Sequence, residues 1–177
     1  RGCVYIAKLQ ESVTLPRGVS AIANPKSSTG RLDIFTRLIC DYADEFEAVA
    51  DGYEGPLYAE ISPRTFSVLV RVGSRLSQLR LRQGQAIVSD DAMQSLHSNV
   101  GLVQGDCRAK VDIRDGVGLT VNLKPDRKSG VIGWRARKHA GLIDIDNPAS
   151  CPVDAFWERV ALSDLAAGGL VLNPDEF

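Results

Sequence analysis

Residues 52–81 read GYEGPLYAEISPRTFSVLVRVGSRLSQLRL. Two turn signals, Gly52-Tyr53-Glu54-Gly55 and Gly73, separate apolar runs that are too short for ordinary helices. Leu57-Tyr58-Ala59-Glu60-Ile61 and Phe66-Ser67-Val68-Leu69-Val70 read as strands. Leu76-Ser77-Gln78-Leu79-Arg80-Leu81 alternates apolar and polar side chains, as a half-buried strand does. On the N-terminal side the same signal recurs in Val4 to Ala7, Val13 to Leu15 and Val19 to Ala23, broken by Pro16 and the Arg17-Gly18 turn. On the C-terminal side it recurs in Val111 to Ile113, Leu119 to Leu123 and Val131 to Ala136. Short strands with frequent Gly and Pro turns predict a mainly β fold with a few short helices.

The helices are expected at three places. Ser27, Ser28 and Thr29 precede Leu32, Phe35, Leu38 and Ile39, a spacing that fits a short amphipathic helix with a Ser or Thr N-cap. Ser89-Asp90-Asp91 predicts a second helix running through His97, with a Ser cap and an acidic first turn that suits the helix dipole. Asp154 to Val160 reads as a third. Residues 41–51 are acid-rich and read as a solvated loop.

Composition narrows the function classes. Of 177 residues, 44% are hydrophobic and 24% charged, ordinary values for a globular chain. Lys plus Arg is 21 and Asp plus Glu is 22, so the net charge of -1 offers no broad basic field and no nucleic-acid partner is expected. No apolar run approaches the length of about 18 residues that would suggest a membrane span, and no secretory start is evident. Cys3, Cys40, Cys107 and Cys151 are widely spaced, with neither a zinc knuckle nor a CxxC pair, and read as reduced thiols of a cytoplasmic protein. The chain opens on strand material and stops just after Leu170-Val171-Leu172, so a fragment of a longer protein is expected.

Three segments carry candidate chemistry. In Lys26-Ser27-Ser28-Thr29-Gly30-Arg31, hydroxyls and free backbone N–H groups could meet phosphate oxygens, Lys26 and Arg31 would supply charge, and Gly30 would let the backbone approach. A plain helix cap with solvated basic flanks is the bland alternative. Glu60 is a lone acid in an apolar strand. It either faces solvent or enters a pocket where burial would suit it to proton transfer. In Arg71 to Leu79 a Gly turn feeds a strand carrying Gln78, read as inward-facing, though many β proteins contain such a segment. His97 reads as solvated or capping, and His139 as part of a solvated basic run Arg137-Lys138-His139. Trp134 and Trp157 read as core or interface packing.

Taken in order, these segments resemble the superfamily of dCTP deaminases and dUTP pyrophosphatases. Lys26 to Arg31 is similar to its Arg-Ser-Ser-x-Ala/Gly-Arg motif, with Lys in the first place. Gly52 to Gly55 resembles its Gly-Tyr/Trp-x-Gly turn, Glu60 falls where the deaminases keep their essential Glu, and Arg71, Gly73, Leu76 and Gln78 resemble the closing motif. Gly133 to His139 and Gly141 to Asp146 resemble the middle of a longer bacterial deaminase family with two tandem repeats. The resemblance implies a dUTPase-like distorted β-barrel or jelly-roll, the β-clip. It also implies a repeat over 1–88, an inter-repeat region over 89–168, and the start of a second repeat over 169–177. Leu170 to Phe177 would be that second repeat's opening strand.

The function implied is hydrolytic deamination of dCTP to dUTP and ammonia, supplying dUTP for thymidylate synthesis. The zinc deaminases carry His-x-Glu with Pro-Cys-x-x-Cys, which this sequence lacks, so the expected chemistry needs no zinc and no metal held by the protein. The resemblance makes Glu60, Ser27 and Arg31 the catalytic residues. Lys26, Ser28, Gly30, Tyr53 and Gln78 would hold the nucleotide and its phosphates, and magnesium would bind through the triphosphate. It also implies a homo-oligomer with threefold packing of repeats. One departure stands out: Ala50 occupies the place of an Asp three positions before the aromatic residue of the Gly-Tyr turn. In the pyrophosphatases that Asp activates water, so Ala50 argues against phosphate-chain cleavage. Alternatives are a dUTP pyrophosphatase, a bifunctional deaminase-pyrophosphatase, or a non-catalytic nucleotide-binding or scaffold repeat.

Overall fold

The computed structural model describes residues 3–84, 88–104 and 111–173. Two compact units result, Arg1–Gly84 with Leu123–Phe177 and Gln85–Asn122. The first unit holds strands β1 (Tyr5–Thr14), β2 (Val19–Pro25), β3 (Ile34–Cys40), β4 (Ala48–Val49), β5 (Glu54–Pro63), β6 (Ser67–Leu69) and β7 (Ser77–Gln83). The helical turn α1 (Ser27–Gly30) lies between β2 and β3. The second unit carries helix α2 (Asp90–Val100). The first unit resumes with β8 (Val131–Ala136), β9 (Leu142–Asp144), α3 (Val153–Phe156) and β10 (Trp157–Ala161).

The fold is mainly β, as expected, but the described strands do not close into one barrel. They pair as β1-β5-β3, β4-β2-β7, β10-β8 and β6-β9. The first three sheets are antiparallel, whereas β6 and β9 run parallel, Ser67 opposite Leu142 and Leu69 opposite Asp144. One hydrophobic cluster joins Leu15, Ala21, Ala23, Leu38, Val49 and Leu57. A second joins Phe66, Ala136, Ile143 and Phe156, with Trp157 packed against it. Phe66 meets the rings of Phe156 and Trp157 edge-on, at centroid distances of 5.7 and 5.5 Å. Trp157 is therefore a packing residue, while Trp134 is exposed beneath the Arg159 guanidinium.

Several local expectations are corrected. The amphipathic helix after Ser28 ends at Gly30, and residues 34–40 are strand β3. Its buried set is Ile34, Thr36, Leu38 and Cys40, a period of two, with Phe35, Arg37 and Ile39 on the other face. The helical spacing of Leu32, Phe35, Leu38 and Ile39 concealed that alternation. Seven antiparallel registers with β5 settle the matter, because they pair the inward backbone edge from Ile34 to Cys40. Nor is α1 capped by Ser or Thr. Its N-cap is Lys26, in an extended conformation without a side-chain cap.

The acid-rich stretch is not loop throughout. Val49 is 1% exposed and pairs with Ala21 in the short strand β4. Residues 119–123 form no strand, and near 111–113 only an isolated bridge joins Ile113 to Val117. The helix at Asp154 stops at Phe156 and gives way to β10. Leu170 to Leu172 lie outside any strand, and residues 174–177, like Cys107, fall outside the described residues. Helix α2 matches its sequence signals. Ser89 Oγ accepts from Ala92 N–H at 3.3 Å, and Gly101 closes the helix at φ 63°. His97 takes a capping place, its Nδ1 accepting from Val103 N–H at 3.4 Å. Among the described residues no helix is long and apolar enough to cross a membrane.

Candidate active site

The first candidate region begins where β2 ends. Pro25 is its last residue, and Lys26 N–H donates to Leu76 O at 2.8 Å, tying the end of β2 to the start of β7. Thr29 N–H and Gly30 N–H return to Lys26 O at 2.9 Å, which makes the single turn α1. Thr29 is buried, and Ser27, Ser28, Gly30 and Arg31 are exposed. A Cβ built on Gly30 would meet nothing within 4 Å, so nothing among the described residues needs the close approach that Gly30 permits.

A pocket of about 350 Å³ opens beside this turn. Lys26, Ser28 and Thr29 line one side, Gly73 and Arg75 a second, and Asp146 a third. The third side is built by a clip between β6 and β9. Arg71 donates to both oxygens of Asp144 at 2.6 and 2.8 Å, and Ser74 Oγ donates to Asp146 Oδ2. Arg71 N–H donates to Ser74 Oγ at 2.7 Å, which aims the hydroxyl. The Arg71 bond holds the Asp144 carboxyl below the usual carboxylate range. Two cations and two hydroxyl side chains give the lining donors for an anion with several oxygens, with the Asp146 carboxylate opposing it.

Glu60 lies elsewhere in the chain. It sits on β5 between Ile6 of β1 and Arg37 of β3. Arg37 Nη2 donates to Glu60 Oε1 at 2.7 Å, with side-chain exposures of 32% and 13%. The guanidinium lies 3.7 Å from the Phe46 ring centroid and 5.1 Å from that of Phe35. Arg37 Nε and Glu47 Oε2 are buried without a partner. Burial raises the Glu47 carboxyl above its ordinary pKa, against the opposing pull of a backbone hydrogen bond at Leu38 and the Arg37 charge.

The Gly52-to-Gly55 turn has a mainly architectural geometry. Tyr53 Oη donates to Pro56 O at 2.7 Å and accepts from Asp41 N–H at 3.2 Å. Burial is the first cause raising the Tyr53 pKa. Ala50 is exposed, and Asp51 accepts Gly18 N–H on both oxygens, at 2.8 and 2.9 Å. The neighbouring carboxylate is thus committed to the β1–β2 turn, where Gly18 has φ 82°. Gln78 faces outward on β7 rather than inward, because Leu79 takes the core-facing place.

Of the residues singled out by sequence, Lys26 and Ser28 meet at the pocket. Ser27, Gly30, Arg31, Tyr53, Gln78 and Glu60 do not line it, and among the described residues Glu60 shares no hydrogen bond or ion pair with Lys26 to Arg31. Sequence reading overlooked Arg37, Phe46, Glu47, Arg75 and the placing of Asp146. The signal for Arg37 was the one that drew attention to Glu60: a lone charge within an apolar strand. Asp144 and Asp146 carry no local signal beyond the resemblance of Gly141 to Asp146. Among the described residues, no group of three or more His, Cys, Asp or Glu could hold a metal ion.

Two family models match. The one for the N-terminal domain of 2'-deoxycytidine 5'-triphosphate deaminase matches residues 1–85, and the one for its C-terminal domain matches residues 89–177. A crystal structure of 2'-deoxycytidine 5'-triphosphate deaminase from Agrobacterium tumefaciens is similar at a TM-score of 0.88 and 46% identity. The match covers 98% of this chain and 50% of that one, so the chain spans half the length of that solved protein. None of the curated protein sequences compared matches.

Proposed function

The chain belongs to the 2'-deoxycytidine 5'-triphosphate deaminase family, and from that premise we propose that it serves the hydrolytic deamination of dCTP to dUTP and ammonia. Water adds to the ring carbon that bears the amino group. Glu60 accepts one proton from that water and passes it to the ring nitrogen. It then takes the remaining hydroxyl proton of the tetrahedral centre and gives it to the amino group, which leaves as ammonia as the C–N bond breaks and the carbonyl forms. Ser27 orients the water, and Arg31 stabilises charge near the tetrahedral centre. Lys26, Ser28, Gly30, Tyr53 and Gln78 hold the nucleotide, its phosphates lying along the pocket that Lys26 and Arg75 line. The reaction would run in the cytoplasm without zinc and supply dUTP for thymidylate synthesis.

The observation that carries the reading is the placing of Glu60, whose first oxygen is held by Arg37 while most of the side chain is shielded from solvent. Among the described residues Glu60 shares no hydrogen bond or ion pair with Lys26 to Arg31, which favours a site completed between neighbouring repeats. Threefold packing of repeats, with 1–88 as the first, 89–168 between and 169–177 opening the second, would supply them. Asp146 is the one carboxylate lining the pocket and would be the protein's sole oxygen ligand, direct or through water, to a magnesium ion held mainly by phosphate and water, while Lys26 and Arg75 would meet the phosphates themselves. When bound, the ion would neutralise triphosphate charge. A dUTP pyrophosphatase is disfavoured, since position 50 is Ala and Asp51 is occupied by Gly18 N–H.

The test is turnover of dCTP by the full chain, read as ammonia release against pyrophosphate release. Ammonia is expected, and Glu60→Gln should lower kcat by about 100-fold or more. Pyrophosphate as the product, or full turnover in Glu60→Gln, would overturn the reading.

A further inference from the structure

We propose that Arg37 is a positioning residue for Glu60: packed against two aromatic rings, it holds one carboxylate oxygen so that the other alone meets the reacting water. The inference rests on the reading of Glu60 as the proton acceptor. Arg37 and Glu60 are direct register partners on β3 and β5, so the pairing is built into the sheet. The guanidinium is itself fixed, 3.7 Å from the Phe46 ring centroid and 5.1 Å from that of Phe35. Its bond to Oε1 measures 2.7 Å, and among the described residues Oε2 has no hydrogen-bond partner.

A second observation sets this pair apart from an ordinary surface ion pair. Arg37 Nε and Glu47 Oε2 are both buried and unpartnered, although the Arg37 charge reaches Glu47. A guanidinium free to choose would satisfy both carboxylates. This one is aimed by the two rings at Glu60, and two buried polar atoms go without partners. Unsatisfied buried groups of that kind are rare in folded chains and call for an explanation. Here the explanation is that the Glu60 carboxylate is held in one orientation, with one lone-pair edge presented.

Four variants of the full chain test this, with kcat and KM measured by ammonia release from dCTP. Arg37→Met keeps the aliphatic packing on Phe46 and removes the donor. It should lower kcat by about 10- to 100-fold while leaving KM within about twofold, as loss of orientation does. Arg37→Lys should recover part of that loss, and millimolar methylguanidinium should raise kcat in Arg37→Ala but not in the parent chain. A purely structural role would show none of this rescue. Unchanged kcat in Arg37→Met, beside an inactive Glu60→Gln, overturns this inference alone. So does a kcat loss in a folded Arg37→Ala that neither methylguanidinium nor the Arg37→Lys exchange relieves. Turnover that survives in Glu60→Gln overturns both this inference and the function on which it rests.

Discussion

A methyl group at position 55 would lie 2.6 Å from Tyr53 Oη and 2.9 Å from its Cζ, closer than real side chains approach. The Tyr53 ring cannot retreat without giving up its bonds to Pro56 O and Asp41 N–H. Gly55→Ala is therefore expected to destabilise the chain by about 1–3 kcal/mol, measured as a lower urea midpoint with an unchanged slope. Tyr53→Phe removes both hydrogen bonds, at about 1 kcal/mol each. Combined with Gly55→Ala it should cost less than the sum, because the closest clash atom is gone. At this scale the sequence was partly legible. Glu60 and Lys26 could be picked out because a charge in an apolar strand and a basic residue before hydroxyls are local patterns. Arg37 escaped because its significance lies in facing Glu60, and register is a property of two strands.

β3 shows what an element adds. Its inward set Ile34, Thr36, Leu38 and Cys40 is legible once a period of two is assumed, but Leu32, Phe35, Leu38 and Ile39 satisfy a helical period equally well. Pairing with β5 decides between them. Leu38, at 3% exposure, belongs to the first core cluster, and Leu38→Ala should cost about 2–5 kcal/mol in chemical denaturation. α2 needed no such arbitration, since its Ser cap, acidic first turn and Gly stop all act locally. The clip between β6 and β9 brings a pH dependence. Arg71 holds the Asp144 carboxyl below its ordinary range, so the unfolded chain binds that proton more readily than the folded one. The contribution is complete above the ordinary carboxylate range and disappears as pH falls through the depressed folded value. The contact is partly exposed and screened, so its effect is modest. The urea midpoints of the parent chain and Asp144→Asn should accordingly differ at neutral pH and converge on acidification.

Across the whole first unit, the two hydrophobic clusters draw on different parts of the sequence. The buried members of the first fall within residues 15–57, whereas the second sets Phe66 against Ala136, Ile143 and Phe156. Phe66→Ala should therefore cost about 3–5 kcal/mol and should also loosen the Asp146 side of the pocket, seen as weaker nucleotide protection in hydrogen exchange. Neither this long-range packing nor the pairing of Glu60 with Arg37 could be read from periodicity, because both depend on which distant segments meet. The same separation shapes how the protein is made. Arg71 leaves the ribosome 73 residues ahead of Asp144, which at typical elongation rates is about 4–15 s. During that interval β6 has no parallel neighbour and Phe66 lacks its later partners Ile143 and Phe156. A nascent chain in this state offers a ready surface to chaperones, and slowing its synthesis should lower the soluble yield more than slowing synthesis of a chain whose strands pair in order.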